Sequence, residues 1–194
     1  MNLKVKEIFY SLQGEGGRQC EASIFVRLAG CNLNCEFCDT DFDGGQEMST
    51  EQILLEISQY PCQWIVWTGG EPTLQITDEC LLFFKQAGYL QAIESNGHTP
   101  LSSLLDYTVV SPKKTILYAK INNPEVDEIR LPVSKDDLLP DLEFLPKAIH
   151  YFISPVFSAD KDATNANISW CVEQIKQNTK WRLSLQIHKL IGIE

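Results

Sequence analysis

The run Trp64-Ile65-Val66-Trp67 passes directly into Thr68-Gly69-Gly70-Glu71-Pro72. It is followed by a helical pattern over Asp78–Ala87 behind a Thr77 cap, and then by a second run, Leu90-Gln91-Ala92-Ile93-Glu94. Short apolar runs bounded by turn residues and separated by an amphipathic helix read as buried parallel strands joined by a crossover. The same rhythm extends outward. Upstream, the pattern predicts a strand at Ser23–Leu28 and a helix at Thr50–Gln59 behind Ser49. Downstream, it predicts strands at Tyr107–Val110 and Ile149–Ile153, a helix at Ile168–Gln177 and a last strand at Leu183–Ile187. This alternation defines an α/β chain with a mostly parallel sheet covered by helices. In such folds, ligands gather at the carboxyl ends of the strands.

The 194 residues, 44% hydrophobic and 22% charged, carry no repeat, low-complexity tract or linker, and so predict one domain over 1–194. A net charge of −10 and a pI near 4.8 argue against nucleic acid or an anionic membrane as partner. Residues 1–97 hold 5 Lys and Arg against 14 Asp and Glu, so the two arginines there, Arg18 and Arg27, stand out. Seven cysteines, an odd number, follow an N-terminus without a signal-peptide core. No apolar run approaches the ~20 residues of a membrane span. The expected location is the cytoplasm, with reduced thiols free to bind metal.

Three of those thiols cluster in Cys31-Asn32-Leu33-Asn34-Cys35-Glu36-Phe37-Cys38, directly after a predicted strand and the turn Ala29-Gly30. Three thiolates within eight residues can wrap one face of a metal centre. An iron–sulfur cluster that takes three cysteines keeps one iron open to an outside ligand, and an open position marks chemistry more than scaffolding. A zinc knuckle completed by Cys20, Cys62 or His98 is the other reading of the same residues.

The Cx3CxxC spacing, with Phe37 before the last cysteine, resembles the radical S-adenosylmethionine superfamily. That resemblance implies a [4Fe-4S] cluster on Cys31, Cys35 and Cys38, whose open iron chelates S-adenosylmethionine and cleaves it reductively to a 5′-deoxyadenosyl radical. It also implies cofactor contacts at Phe37, Cys38, Asp39 and Gly70. Further contacts are implied at Ser111, Pro112 and Lys113 of Ser111-Pro112-Lys113-Lys114, and at Phe152-Ile153-Ser154-Pro155. Ser154 departs from the pattern, because many relatives have Gln before that proline. Glu94-Ser95-Asn96-Gly97 is similar to another loop of the same pocket.

Within the superfamily, three stretches resemble the 7-carboxy-7-deazaguanine synthase family. The segment Glu7 to Gly16 is similar to its opening stretch, which implies that Leu12, Gln13, Gly14 and Glu15 bind a pterin. Arg27 matches the residue near the substrate carboxylate, a role suited to a guanidinium fork. Thr40 matches a threonine whose hydroxyl ligates Mg²⁺ together with the substrate. The closing stretch Trp181 to Glu194 places His188 and the carboxylate of Glu194 at substrate contacts, and its apolar Leu190-Ile191-Gly192-Ile193 reads as a docked tail.

The resemblance implies an incomplete TIM-like barrel of about six strands. The implied reaction is radical ring contraction of 6-carboxy-5,6,7,8-tetrahydropterin to 7-carboxy-7-deazaguanine and ammonia, a step of 7-deazapurine and queuosine biosynthesis. Glu94, Thr68 and His188 would orient the pterin. A homodimer and an external electron donor such as a flavodoxin or ferredoxin are also implied. The alternatives are a glycyl-radical-activating enzyme, which shares the cluster and the Gly-Gly-Glu feature, and a non-catalytic zinc-binding interaction module.

Overall fold

The computed structural model describes residues 1–36, 38, 40–113 and 122–193. Their nine strands form one open sheet: β1 (Asn2–Leu12), β2 (Ala22–Leu28), β3 (Gln46–Ser49), β4 (Trp64–Gly69), β5 (Leu90–Ser95), β6 (Tyr107–Val110), β7 (Glu125–Val133), β8 (Lys147–Pro155) and β9 (Trp181–Leu183). The order is β3-β1-β2-β4-β5-β6-β7-β8-β9. From β2 onward every neighbouring pair in this order is parallel, while β1 runs antiparallel to β2 and β3. The partial barrel is therefore wider than the six strands expected, with an antiparallel pair added at one edge.

Period-two alternation sorts the side chains to the two faces of the sheet. Ile24, Val26, Leu28, Ile65, Trp67 and Ile93 point outward, where helices α1 (Thr50–Ile57) and α2 (Asp78–Gln86) cover them with Ile53, Ile57, Cys80, Leu81 and Phe84. A second outer cluster joins Ile129, Leu131, Val133 and Ile153 to Cys171 of α3 (Lys161–Gln177) and to Trp181. Each fully buried Ile, Leu or Phe stabilises the fold by ~1.5–3 kcal/mol. The inner face holds a smaller cluster, Phe25, Val66 and Ala92, with Phe9, Trp64 and Tyr107 packed against it.

Helix starts follow their caps. Ser49 and Gln52 form a reciprocal capping box at α1, and the Thr77 hydroxyl accepts from Cys80 N at 3.3 Å at α2. The third helix begins at Lys161, seven residues before the expected Ile168, behind the Asp160 cap. Its first turns bury polar groups instead of apolar ones. Asn167 donates to Val156 O at 2.8 Å and accepts from Lys135 N at 2.7 Å, so hydrophobic periodicity could not reveal them.

Two expectations are corrected. Leu183–Ile187 is not a strand: β9 ends at Leu183, and Ile187–Ile191 is a short helix, α4, that stops at the left-handed Gly192. Nor is the apolar tail sealed within the chain, because Leu190 and Ile191 are more than half exposed. The connection between β1 and β2 is a long loop. Gln13 N donates to Glu21 O and Cys20 N to Gln13 O, both at 2.8 Å, and the intervening loop folds into the barrel lumen. There the Arg18 guanidinium lies 3.6 Å from the centre of the Trp64 ring.

Candidate active site

A cavity of about 640 Å³ opens at the carboxyl ends of the parallel strands. Its wall combines three groups of residues that are distant in sequence. The cysteine loop after β2 contributes Cys31, Cys35, Cys38 and Thr40. The lumen loop contributes Leu12, Gln13, Gly14 and Glu15. Strand ends and the loops beyond them supply Arg27, Thr68, Gly70, Glu94, Ser111, Lys113, Ser154, Pro155 and His188.

The cysteine loop is held from several sides. Gly30 N donates to Phe42 O at 3.0 Å, and Lys6 on β1 reaches Asp41 Oδ2 at 2.6 Å and Asp43 O at 2.8 Å. Asn96 after β5 donates from Nδ2 to Asn32 Oδ1 at 2.8 Å, tying the loop to Glu94-Ser95-Asn96-Gly97. Behind it lies the Gly69-Gly70-Glu71 turn. Glu71 N donates to Gly30 O at 2.9 Å, and a Cβ on Gly70 would overlap that same oxygen, so the close approach requires glycine. The Glu71 carboxylate is buried and accepts from Thr73 N, Thr73 Oγ1, Ser95 Oγ and Asn96 N, which locks the turn to β5.

The three thiols are free and share one wall, and Leu33 N donates to Cys31 Sγ at 3.4 Å. Burial pushes the Cys35 thiol up, Lys113 draws it down, and Cys38 and Cys31 push it up again. Among the described residues, no three His, Cys, Asp or Glu side chains surround a point where a single metal ion would sit. Three free thiols on one wall of an open cavity are a donor set that fits a cluster bound from one side, with space beside it for a cofactor.

The cavity also has a charged floor, in which Gln13, Glu15 and Glu94, expected from the sequence, meet Arg130 and Glu128, which the sequence does not single out. Arg130 on β7, only 6% exposed, contacts Glu15, Glu94 and Glu128. Burial works against its charge, but Glu94, Glu128 and Glu15 outweigh that and hold the guanidinium above its ordinary value. Burial raises the Glu94 carboxyl, Arg130 opposes the rise, and Glu128 and Glu15 add to it. Lys113, whose Nζ donates to Ser111 Oγ at 2.7 Å, is lowered by burial. The signal for Arg130 was present as alternation of Glu128, Arg130 and Pro132 against Ile129, Leu131 and Val133.

Arg27 Nε donates to Glu7 Oε1 at 2.6 Å, so the fork expected for a substrate carboxylate has a resident carboxylate partner. His188 rides on α4, with Ile187 N donating to Gly14 O at 3.0 Å. Three of the expected cofactor contacts do not reach the cavity through their side chains. Ile153 packs in the outer core, Phe152 is buried under Arg182, and Pro112 is buried away from the wall. Phe37, Asp39 and Glu194 lie outside the described residues.

Residues 25–131 match the model of the Radical SAM superfamily, which spans both the cysteine loop and the glycine turn. The chain belongs to that superfamily, and its cluster and S-adenosylmethionine follow from membership. The chain is 39% identical over 193 residues to the 7-carboxy-7-deazaguanine synthase of Bacteroides thetaiotaomicron, covering 100% of both chains. It is 39% identical over 202 residues to that of Haemophilus influenzae, covering 100% of this chain and 95% of the relative. The crystal structure of QueE from Escherichia coli superposes with a TM-score of 0.73 at 25% identity, over 97% of this chain and 95% of that one. Within the superfamily, the chain belongs to the 7-carboxy-7-deazaguanine synthase family, which sets aside both the activating-enzyme and the zinc-module readings.

Proposed function

We propose that this chain catalyses the radical ring contraction of 6-carboxy-5,6,7,8-tetrahydropterin to 7-carboxy-7-deazaguanine and ammonia, in the biosynthesis of 7-deazapurines and queuosine. The observation that carries this reading is one cavity lined both by the three cysteine thiols and by hydrogen-bond acceptors and a guanidinium. Held by Cys31, Cys35 and Cys38, the cluster with S-adenosylmethionine would supply reversible hydrogen-atom abstraction at substrate C6.

The chain's own residues bind and orient. Gly70, Ser111, Lys113, Ser154 and Pro155 line the cofactor side. Arg27 exchanges Glu7 for the substrate carboxylate, since its fork matches two oxygens. Leu12, Gln13, Gly14, Glu15, Thr68, Glu94 and His188 hold the pterin, with the Glu194 carboxylate as a further substrate contact. Glu94 and His188 are the side chains placed to move a proton as nitrogen leaves. The Thr40 hydroxyl is a hard oxygen donor suited to Mg²⁺ held jointly with the substrate.

An external flavodoxin- or ferredoxin-type protein supplies the electron, and the enzyme works as a cytoplasmic homodimer. Among the described residues, no helix is long and apolar enough to cross a membrane. The test is anaerobic incubation of the reconstituted protein with reductant, S-adenosylmethionine and the carboxypterin. Formation of 7-carboxy-7-deazaguanine supports the reading, and cofactor cleavage without that product overturns it.

A further inference from the structure

The floor of the cavity is a closed ring of side chains. Arg130 donates from Nη1 to Glu15 Oε2 at 2.7 Å and meets Glu94 twice, Nη2 to Oε1 and Nη1 to Oε2, each at 3.1 Å. Gln13 Nε2 donates to the same Glu94 Oε1 at 3.1 Å, and Glu15 N donates back to Gln13 Oε1 at 3.2 Å. Beneath the ring, Arg130 Nε donates to Glu128 Oε1 at 2.7 Å. Glu128 is 0% exposed, and its other oxygen accepts from Gly17 N at 2.8 Å and from the Tyr107 hydroxyl at 2.9 Å. One guanidinium thus joins the lumen loop, β5 and β7.

Planarity decides what this residue does. A fork with donors at fixed angles sets both the distance and the tilt between the two carboxylates it holds, which an ammonium could not do. Gln13 and Glu15 also line the cavity, so the ring faces the space where the substrate sits. Glu128 does not line that space; it fixes the fork from behind and pins the loop through Gly17.

We infer that Arg130 is a positioning residue of the pterin site: its fork holds Glu15 and Glu94 as spaced carboxylate acceptors for the N–H edge of the substrate's pyrimidine ring, with Glu128 as the buried counter-charge that orients it. The inference rests on the function proposed above. The charged groups facing Glu94 are Arg130 and Glu128 from β7, Glu15 from the lumen loop and Lys113 beyond β6. Removing the Arg130 charge takes away the partner that favours ionised Glu94. Neutralising Glu128 takes away a neighbour that disfavours it. The two changes therefore act in opposite directions on the pH at which Glu94 becomes an acceptor.

The test compares wild type, Arg130→Gln, Arg130→Lys and Glu128→Gln, reading kcat/KM for the carboxypterin against pH together with iron content and S-adenosylmethionine binding. Arg130→Gln is expected to lower kcat/KM at neutral pH on the order of 10- to 100-fold and to move the acid limb to higher pH. Glu128→Gln is expected to move that limb to lower pH. Arg130→Lys is expected to restore the limb but not the affinity, because it returns the charge without the fork. Iron content and S-adenosylmethionine binding stay at wild-type values throughout. Limbs that do not move, limbs that move together, or a loss matched by equal loss of S-adenosylmethionine binding would each overturn the inference. If Arg130→Gln does not fold, the Glu128→Gln and Arg130→Lys limbs decide by the same criteria. A wild type that forms no 7-carboxy-7-deazaguanine removes the function and the inference together, whereas product with unmoved limbs removes the inference alone.

Discussion

The imidazole Nδ1 of His188 occupies the space that a Cβ on Gly14 would need. The lumen loop and α4 are thereby fitted to each other at one side chain, and the Ile187 N to Gly14 O bond of 3.0 Å fixes their spacing. Gly14→Ala must push α4 outward, because overpacking displaces the neighbour with more freedom and costs ~1–3 kcal/mol. The expected outcome is a higher KM for the carboxypterin, about tenfold or more, with unchanged iron content. Steady-state kinetics on the reconstituted variant check it, and an unchanged KM would detach His188 from substrate binding.

The cysteines divide by place. Cys31, Cys35 and Cys38 share the cavity wall, while Cys80 and Cys171 are fully buried in the outer cores, with thiols pushed up to about 12 by burial. Alanine at any of the first three is expected to abolish cluster and turnover. Alanine at Cys80 or Cys171 should keep both and cost about 1 kcal/mol of stability. Iron and sulfide analysis beside thermal melts separates the two groups, and full iron in Cys35→Ala would end its assignment as ligand.

The proposed exchange at Arg27, in which the fork trades Glu7 for the substrate carboxylate, can be tested on the fork itself. Arg27→Lys is expected to weaken carboxypterin binding by more than tenfold and S-adenosylmethionine binding by less than twofold, since a point charge cannot reproduce a bidentate fork. Glu7→Gln should act the other way by freeing the fork in the resting site. Calorimetric titration of both ligands is the measurement, and equal carboxypterin affinity in wild type and Arg27→Lys excludes the role.

For the metal, Thr40→Val keeps shape and removes the oxygen donor. Cluster content and cofactor binding should persist, while stimulation of turnover by added Mg²⁺ disappears. A magnesium titration of initial rate reads this directly, and a wild-type response in the variant contradicts the assignment.

Local signals in the sequence reach as far as each element's stabilising interactions are themselves local. β4, β5 and β6 announce themselves as apolar runs between turns, and α1 and α2 start at the caps their sequences advertise. β7 carries no clear local signal because Glu125, Asp127, Glu128 and Arg130 make Glu125–Val133 look solvated, yet Glu128 and Arg130 face the lumen, where they pair with each other and Arg130 also pairs with Glu94 and with the distant Glu15. The end of β9 was misplaced because Leu183, Leu185 and Ile187 mimic alternation. Ser184 N still bonds to Ile153 O, but Ile187 N turns to Gly14 O, a partner that no local pattern contains. The cysteine loop and the glycine turn are compact motifs and are legible in the sequence; the floor, assembled from the lumen loop, β5 and β7, is legible only at Gln13, Glu15 and Glu94.

The sheet also acts as a partition. Its helix-covered side carries the two larger apolar clusters, and its lumen side carries the ionic ring and the cavity. Most of the apolar burial that resists unfolding therefore lies away from the cavity, with Phe25 and Phe9 of the smaller inner cluster shared between the two. A lineage can revise the lumen by exchanging charge partners together, such as Arg130 with its carboxylates, while its melting behaviour drifts very little. The same wall that hides the chemistry from the core leaves the chemistry free to diversify.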